Sequence, residues 1–221
     1  MELRIPVGPD EVWAEHLAGD GVPVVLLHPE AEDSRVWDPL VPLLSGRRVV
    51  RYDVRGFGRS ESATTEFALL DDLVAVLDQL ALERVLLVGC SMGGGTALSL
   101  ALADAARVHG LVLVCPEVTG FPWPDQLELE ADTVPEWFEQ TMYVTPDAPL
   151  FDRLHQIQTP TVVMVGTKDR PSLAAVAGAT AARIPDANLV WLPTDHLTSL
   201  RQPQLVADTI LRMSAGPGPT G

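Results

Sequence analysis

Cysteine is scarce in this chain, with only Cys90 and Cys115 in 221 residues. Two thiols cannot build the disulfide framework of a small secreted domain, and they point to a reducing, cytoplasmic setting. Basic residues are also few: 15 Lys and Arg stand against 30 Asp and Glu, for a formal net charge of −15. Phosphate recognition needs a basic footprint, so a nucleic-acid partner is not expected, and neither is docking on an anionic membrane. Long apolar runs are missing. Stretches such as Val24-Val25-Leu26-Leu27 and Leu111-Val112-Leu113-Val114-Cys115 fall far short of the ~20 residues a bilayer span requires. The opening Met1-Glu2-Leu3-Arg4-Ile5-Pro6 has no basic region leading into an apolar one, so no signal peptide is expected.

What is present is an ordinary globular composition, 47% hydrophobic and 20% charged, in a chain long enough for one domain with a sizeable core. No internal repeat is visible. Short β-rich runs at 22–28, 47–53, 84–90, 108–115, 161–166 and 188–192 alternate with helical patterns at 66–80, 92–105, 173–183 and 203–213. That alternation predicts an α/β fold with a mostly parallel twisted sheet and helices on both faces. Several runs are apolar at consecutive positions, as strands buried on both faces require. Residues 2–17, broken at Val7-Gly8-Pro9-Asp10, read as an antiparallel hairpin on the sheet edge. The expected organisation is one domain over 1–215, with 116–159 interrupting the rhythm and a flexible tail at 216–221.

The chemistry centres on Gly89-Cys90-Ser91-Met92-Gly93. This fits the G-x-S-x-G pattern of a nucleophile elbow, in which a serine sits on a strained strand-to-helix turn. The context fits: Val85–Val88 reads as a strand and Thr96–Ala103 as a helix. Small neighbours permit the turn, and the helix N-terminus sets its amides beside a developing oxyanion. The plainer alternative is a Gly-rich turn needed only for close packing.

A serine hydroxyl needs a general base. Of the 5 histidines, His16, His109 and His155 sit away from the expected site, and His28 suits a structural role in the loop after its strand. His196 follows the last strand, at the edge where strand C-termini collect and ligands bind. The chain order Ser…Asp/Glu…His makes it the candidate base. The orienting carboxylate should lie between the two at the same edge. Asp169, just after the 161–166 strand, is the first candidate, with Glu117 as the alternative; Asp195 is too close to His196 in sequence to reach round its ring. The second oxyanion donor should come from the loop after the first parallel strand. Pro29 has no N–H, so the amide of Glu30 is expected to pair with that of Met92.

These motifs resemble the α/β-hydrolase superfamily across nearly the whole chain. The resemblance rests on Leu26-Leu27-His28 with Trp37-Asp38, on Tyr52-Asp53-Val54-Arg55-Gly56-Phe57-Gly58-Arg59-Ser60, on the Ser91 elbow, and on Gly166-Thr167-Lys168-Asp169 with His196. The second stretch is typical of the lactonase-, esterase- and C–C-hydrolase-like branch, where it is a structural loop beside the elbow. The chain departs from that branch in two ways. His28 is followed by Pro29 and a run of acids (Glu30, Glu32, Asp33), either loop variation or a negative mouth that repels anionic substrates. The cap that the branch inserts is also shortened to residues 116–159. Phe121, Trp123, Trp137, Phe138, Met142 and Tyr143 would line the acyl or alcohol pocket or simply cover the sheet, while Trp37 reads as core.

The resemblance implies a serine hydrolase acting on a carboxylic ester, lactone or thioester, on a small-molecule or carrier-bound acyl substrate. No cofactor is expected, and no His/Cys/Asp group shows metal-ligand spacing. Non-hydrolytic acyl transfer or cyclisation at the same site, and an inactive binding scaffold, are the competing expectations.

Overall fold

Val85–Cys90 is apolar or small at every position and buried at every position, so the sheet it belongs to is covered on both faces. In the computed structural model the strands run in chain order as β1 (Glu2–Val7), β2 (Asp10–Leu17), β3 (Asp20–Leu27), β4 (Arg47–Tyr52), β5 (Phe67–Ala68), β6 (Val85–Cys90), β7 (Val108–Val114), β8 (Tyr143–Val144), β9 (Thr161–Gly166) and β10 (Asn188–Leu192). The structure describes residues 1–30, 32–123, 142–144, 148–196 and 201–215. Among the described residues, the main sheet has 8 strands in the order β1-β2-β4-β3-β6-β7-β9-β10. The first two are antiparallel, as the hairpin pattern predicts, and β2 joins β4 antiparallel. From β4 onward every pairing is parallel.

Among the described residues, the α-helices are α1 (Leu69–Gln79), α2 (Met92–Ala103), α3 (Leu150–Arg153), α4 (Pro171–Arg183) and α5 (Pro203–Ser214). Apolar spacing turns α1 inward through Leu73, Val76 and Leu77. Helix α2 is apolar over most of its surface because it is largely enclosed, packing on β3, β6 and β7 and against α1. Pro171 opens α4 at a position where a missing N–H costs nothing. After β3 the chain first adds β4 on one side, then crosses to add β6 on the other. That reversal leaves a crevice at the carboxyl ends of β3 and β6, where open α/β sheets bind ligands. Trp37, expected in the core, is fully buried.

Several boundaries differ from expectation by one to three residues. The helix expected over 66–80 starts at Leu69, because Phe67 and Ala68 pair in parallel with Tyr143 and Val144. Helix α2 stops at Ala103 rather than 105, and a 3-10 turn follows at Ala105–Arg107. Within 116–159 the described residues contribute β8, α3 and the 3-10 turn Leu154–Gln156. Trp137, Phe138 and the tail 216–221 lie outside the described residues. Among the described residues, no helix is long and apolar enough to cross a membrane.

Candidate active site

Strand β6 ends at Cys90 and α2 begins at Met92, so Ser91 alone makes the turn. Its backbone sits at φ 49° and ψ −117°, a conformation that costs a non-glycine residue about 1–3 kcal/mol and persists only where the surroundings enforce it. The enforcement is visible on both sides. A Cβ at Gly89 would lie 2.3 Å from the Gly93 carbonyl oxygen, and one at Gly93 would lie 2.3 Å from the Leu27 carbonyl oxygen. The Ser91 N–H donates to the Val114 carbonyl at 3.0 Å, and its own carbonyl accepts from the amides of Gly94, Gly95 and Glu117. The backbone is therefore fixed while the side chain is left half-buried. Among the described residues, Ser91 Oγ makes no hydrogen bond.

The loops after β9 and β10 are pressed together. A Cβ at Gly166 would lie 2.2 Å from the Thr194 carbonyl oxygen. Thr167 N–H donates to Leu192 O at 2.7 Å and Lys168 N–H to Thr194 O at 2.9 Å. This contact brings His196 Nδ1 to 3.3 Å from Asp169 Oδ2. The Asp169 side chain is 2% exposed and the His196 side chain 31% exposed, so the carboxylate is sheltered while the ring reaches solvent. Burial alone would raise the Asp169 pKa, but hydrogen bonds from His196 and from the Cys115 thiol outweigh it and hold the carboxyl below its usual range. Cys115 Sγ donates to the same Oδ2 at 3.0 Å. Burial first, and then the bond to Asp169, pushes that thiol's pKa up. Ser91, Asp169 and His196 thus follow the carboxyl ends of β6, β9 and β10, at one edge of the sheet.

Three of the other histidines are engaged elsewhere, and His155 is exposed. His28 Nε2 accepts from the Val54 N–H at 3.0 Å, so the proton sits on Nδ1, which donates to Pro29 O at 2.8 Å. Burial lowers its pKa, which keeps this bridging ring neutral. His16 meets Arg48 Nε at 3.1 Å and His109 meets the Met213 carbonyl at 3.1 Å. Beside His28, buried Asp53 accepts from the Ser34 and Arg59 amides, each at 2.8 Å, and so ties the 53–60 loop to the loop after β3.

That loop distributes its acids unequally. Asp33 caps the 3-10 turn Ser34–Trp37 by accepting from the Arg35 amide at 2.9 Å. Hydrogen bonds from the Arg35 side chain lead in lowering its pKa to about 2. Glu32 is exposed. Glu30 turns the other way and accepts a hydrogen bond from the Tyr143 hydroxyl. Among the described residues, neither the Glu30 amide nor the Met92 amide is committed to a hydrogen bond. Met92 is the first residue of α2, where N–H groups have no partner inside the helix.

A cavity of about 300 Å³ opens beside these residues. Its walls are the start of α1 (Leu69, Leu70), one face of α2 (Met92, Thr96, Ser99), and Glu117, Thr119, Tyr143 and Leu150. Glu117 is hemmed in by protein on most sides yet its side chain meets the open cavity, and this crowding raises its pKa. Glu30 is raised as well, by burial and by the nearby Glu117 charge, against the opposing bond from Tyr143. Glu117 therefore faces the cavity, while Asp169 faces His196. Asp195 pairs with Arg201 at 3.3 Å. Phe121, Trp123 and Met142, expected as pocket walls, are not among the lining residues. Phe121 instead stacks edge-on against Phe151 and Trp123. Nothing in the sequence linked Tyr143 to Glu30, which is 113 residues away.

Comparison with known proteins agrees with this architecture. The chain is 37% identical over 121 residues to a 2-hydroxymuconate semialdehyde hydrolase of Pseudomonas sp. (strain CF600), covering 51% of this chain and 43% of that enzyme. The chain thus spans less than half the length of that relative. A 3-oxoadipate enol-lactonase of Acinetobacter baylyi is 26% identical over 214 residues, covering 78% of this chain and 80% of the relative. Among solved structures, the enol-lactonase from Burkholderia xenovorans LB400 superposes with a TM-score of 0.77 at 23% identity, covering 96% of this chain and 99% of that one. That likeness speaks for the fold. The family model described as alpha/beta hydrolase fold matches residues 22–152, a stretch that holds most of β3, the elbow and all of the cavity-lining residues. With the sheet order and the strained serine turn, this match makes the chain a member of the α/β-hydrolase fold family.

Proposed function

We infer that the protein is a serine hydrolase that cleaves a carboxylic ester, lactone or thioester through an acyl-serine intermediate. The observation that carries this reading is Ser91, held at φ 49° between a buried strand and a helix N-terminus. Fold alone does not assign chemistry; the residues of the site do. His196 takes the Ser91 proton as Oγ attacks the acyl carbon. Asp169 holds the Nδ1–H of His196, which leaves Nε2 free to act as the base and stabilises the imidazolium that forms. The amides of Met92 and Glu30 receive the oxyanion of the tetrahedral intermediate. His196 then returns the proton to the leaving group, and water attacks the acyl-serine by the reverse route. The Ser91–His196 hydrogen bond would form on substrate binding, since such bonds are often loose before it.

The cavity supports a modest acyl or alcohol group, at the small end of ligand pockets. The short 116–159 segment favours an open site able to take carrier-presented as well as free substrates. Both cysteines are free thiols, in keeping with a reducing, cytoplasmic setting. The test is a burst assay with activated esters and thioesters of graded acyl length, with the acyl-enzyme trapped by acid and mapped by mass spectrometry. The expected adduct sits on Ser91, and Ser91→Ala gives neither burst nor adduct. Reactions run in ¹⁸O-water separate hydrolysis, which places the label in the acid product, from acyl transfer, which does not.

A further inference from the structure

Cys115, Asp169 and His196 follow the carboxyl ends of β7, β9 and β10, and one ligand atom from each (Sγ, a carboxylate oxygen and a ring nitrogen) lies within 4.8 Å of the others. We propose that this trio is an inhibitory zinc site, in which Cys115 Sγ, Asp169 Oδ2 and His196 Nδ1 hold Zn²⁺ and thereby switch off the base. The inhibition half of the proposal rests on the reading of His196 as the base, but the metal-binding half does not.

The ligand set matches the ion. Zinc takes thiolate sulfur, imidazole nitrogen and carboxylate oxygen in tetrahedral sites, with bonds of about 2.0–2.3 Å. Those bonds put neighbouring ligands about 3.3–3.5 Å apart. Here Sγ and Oδ2 are 3.0 Å apart and Nδ1 and Oδ2 are 3.3 Å apart, and all three ligand atoms lie within 4.8 Å of one another, so side-chain shifts that bring Sγ and the ring nitrogen together admit the metal. Charge agrees as well: a thiolate and a carboxylate together offset the dication, where the metal-free thiol must keep its proton beside Asp169. Cys115 is 2% exposed, so the ion enters from the side of the partly exposed His196 ring. A water or substrate oxygen would fill the fourth position.

Inhibition follows from the tautomer. Metal binding releases the Cys115 S–H proton to solvent. The His196 ring gives up its Nδ1 proton to solvent and takes one on Nε2, for a net release of one proton per Zn²⁺. With Nδ1 on the metal and hydrogen on Nε2, the ring has no lone pair for Ser91, and its bond to Asp169 is gone. Magnesium and calcium prefer all-oxygen shells and should be inert here.

Two readouts on the full chain test this, and the first needs no activity. Protein stripped with a chelator is titrated with Co²⁺, and the near-ultraviolet thiolate-to-cobalt band is followed. The expected result is a 1:1 band that Zn²⁺ erases, that Cys115→Ser and Cys115→Ala lack, and that Cys90→Ser retains. Circular dichroism confirms that each variant is folded. In the second readout, Zn²⁺ slows ester turnover and chelator restores it, each protein being compared with its own metal-free rate. Cys115→Ser should raise the half-inhibitory zinc concentration at least about tenfold, the loss that even outer-shell partners of a metal bring. Absence of the band in folded wild-type protein, or its persistence in Cys115→Ser, overturns the site. Equal zinc sensitivity of wild type and Cys115→Ser overturns the inhibition. A chain that turns over no ester in metal-free buffer counts against the proposed function, while the cobalt band still decides the site.

Discussion

Tyr143, in the cavity wall, donates its phenolic hydrogen to Glu30 and so joins the short strand β8 to the loop after β3. Glu117 and Tyr143 line the largely apolar cavity, and Glu30, held by Tyr143, lies close enough to Glu117 to feel its charge; both carboxyl groups have raised pKa values.

Selection by substrate charge follows. Below their raised pKa values both glutamates are protonated and neutral; as pH rises through those values, which lie above the ordinary glutamate value of 4.5, they become negative. The rate ratio of neutral to anionic esters should therefore climb with pH. A unit charge a few ångströms from the substrate is worth about 1–3 kcal/mol at an intermediate dielectric, or roughly ten- to a hundredfold in rate. Glu30→Gln with Glu117→Gln should flatten the pH dependence of that ratio. Unchanged selectivity in the double variant would remove the acids from substrate choice.

The identity of the orienting acid has its own test. Asp169→Asn should cost about 10⁴ in kcat with little change in KM, because the amide favours the wrong His196 tautomer. Glu117 meets the cavity rather than His196, so the loss in Asp169→Asn should exceed that in Glu117→Gln by about a thousandfold. The reverse ranking in steady-state kinetics would make Glu117 the acid.

Gly93 carries the close approach of α2 to β3. A methyl group there meets the Leu27 carbonyl oxygen at 2.3 Å, and backbone on both sides leaves little room to yield. Gly93→Ala should lower unfolding stability by about 3 kcal/mol, in the overpacking range. Denaturant melts measure this directly.

Arg55 ties the 53–60 loop to α1 and β2. It donates to Asp72 at 2.5 and 2.9 Å and to Asp10 at 2.9 Å, and its guanidinium lies 4.0 Å from the Phe67 ring centroid. Asp72 is 1% exposed, so Arg55→Met strands a buried carboxylate. A loss of about 3–5 kcal/mol is expected. Adding Asp72→Asn should recover much of that loss, because the stranded charge is removed.

The sequence made legible whatever is encoded within a short stretch. The parallel sheet showed in continuously apolar runs, and Ser91 in a turn that only small neighbours allow. His196 and Asp169 followed from chain order and from the edge where strand ends gather. Contacts between distant loops were hidden. Phe67 continues the apolar spacing of α1, so its pairing with Tyr143 could not be read from the pattern. The approach of Cys115 to Asp169 depends on strand order, and the cavity walls on Thr96 and Ser99 depend on which side of α2 is left uncovered. No local signal in the sequence encodes these.

The most direct measurement is active-site labelling. The folded chain is treated with a fluorophosphonate in metal-free buffer, digested, and the adduct located by tandem mass spectrometry. The account predicts a single adduct on Ser91, formed far more slowly in His196→Ala and absent in Ser91→Ala. Folded wild-type protein that takes no label, or takes it at another residue, would contradict the claim that Ser91 is the nucleophile.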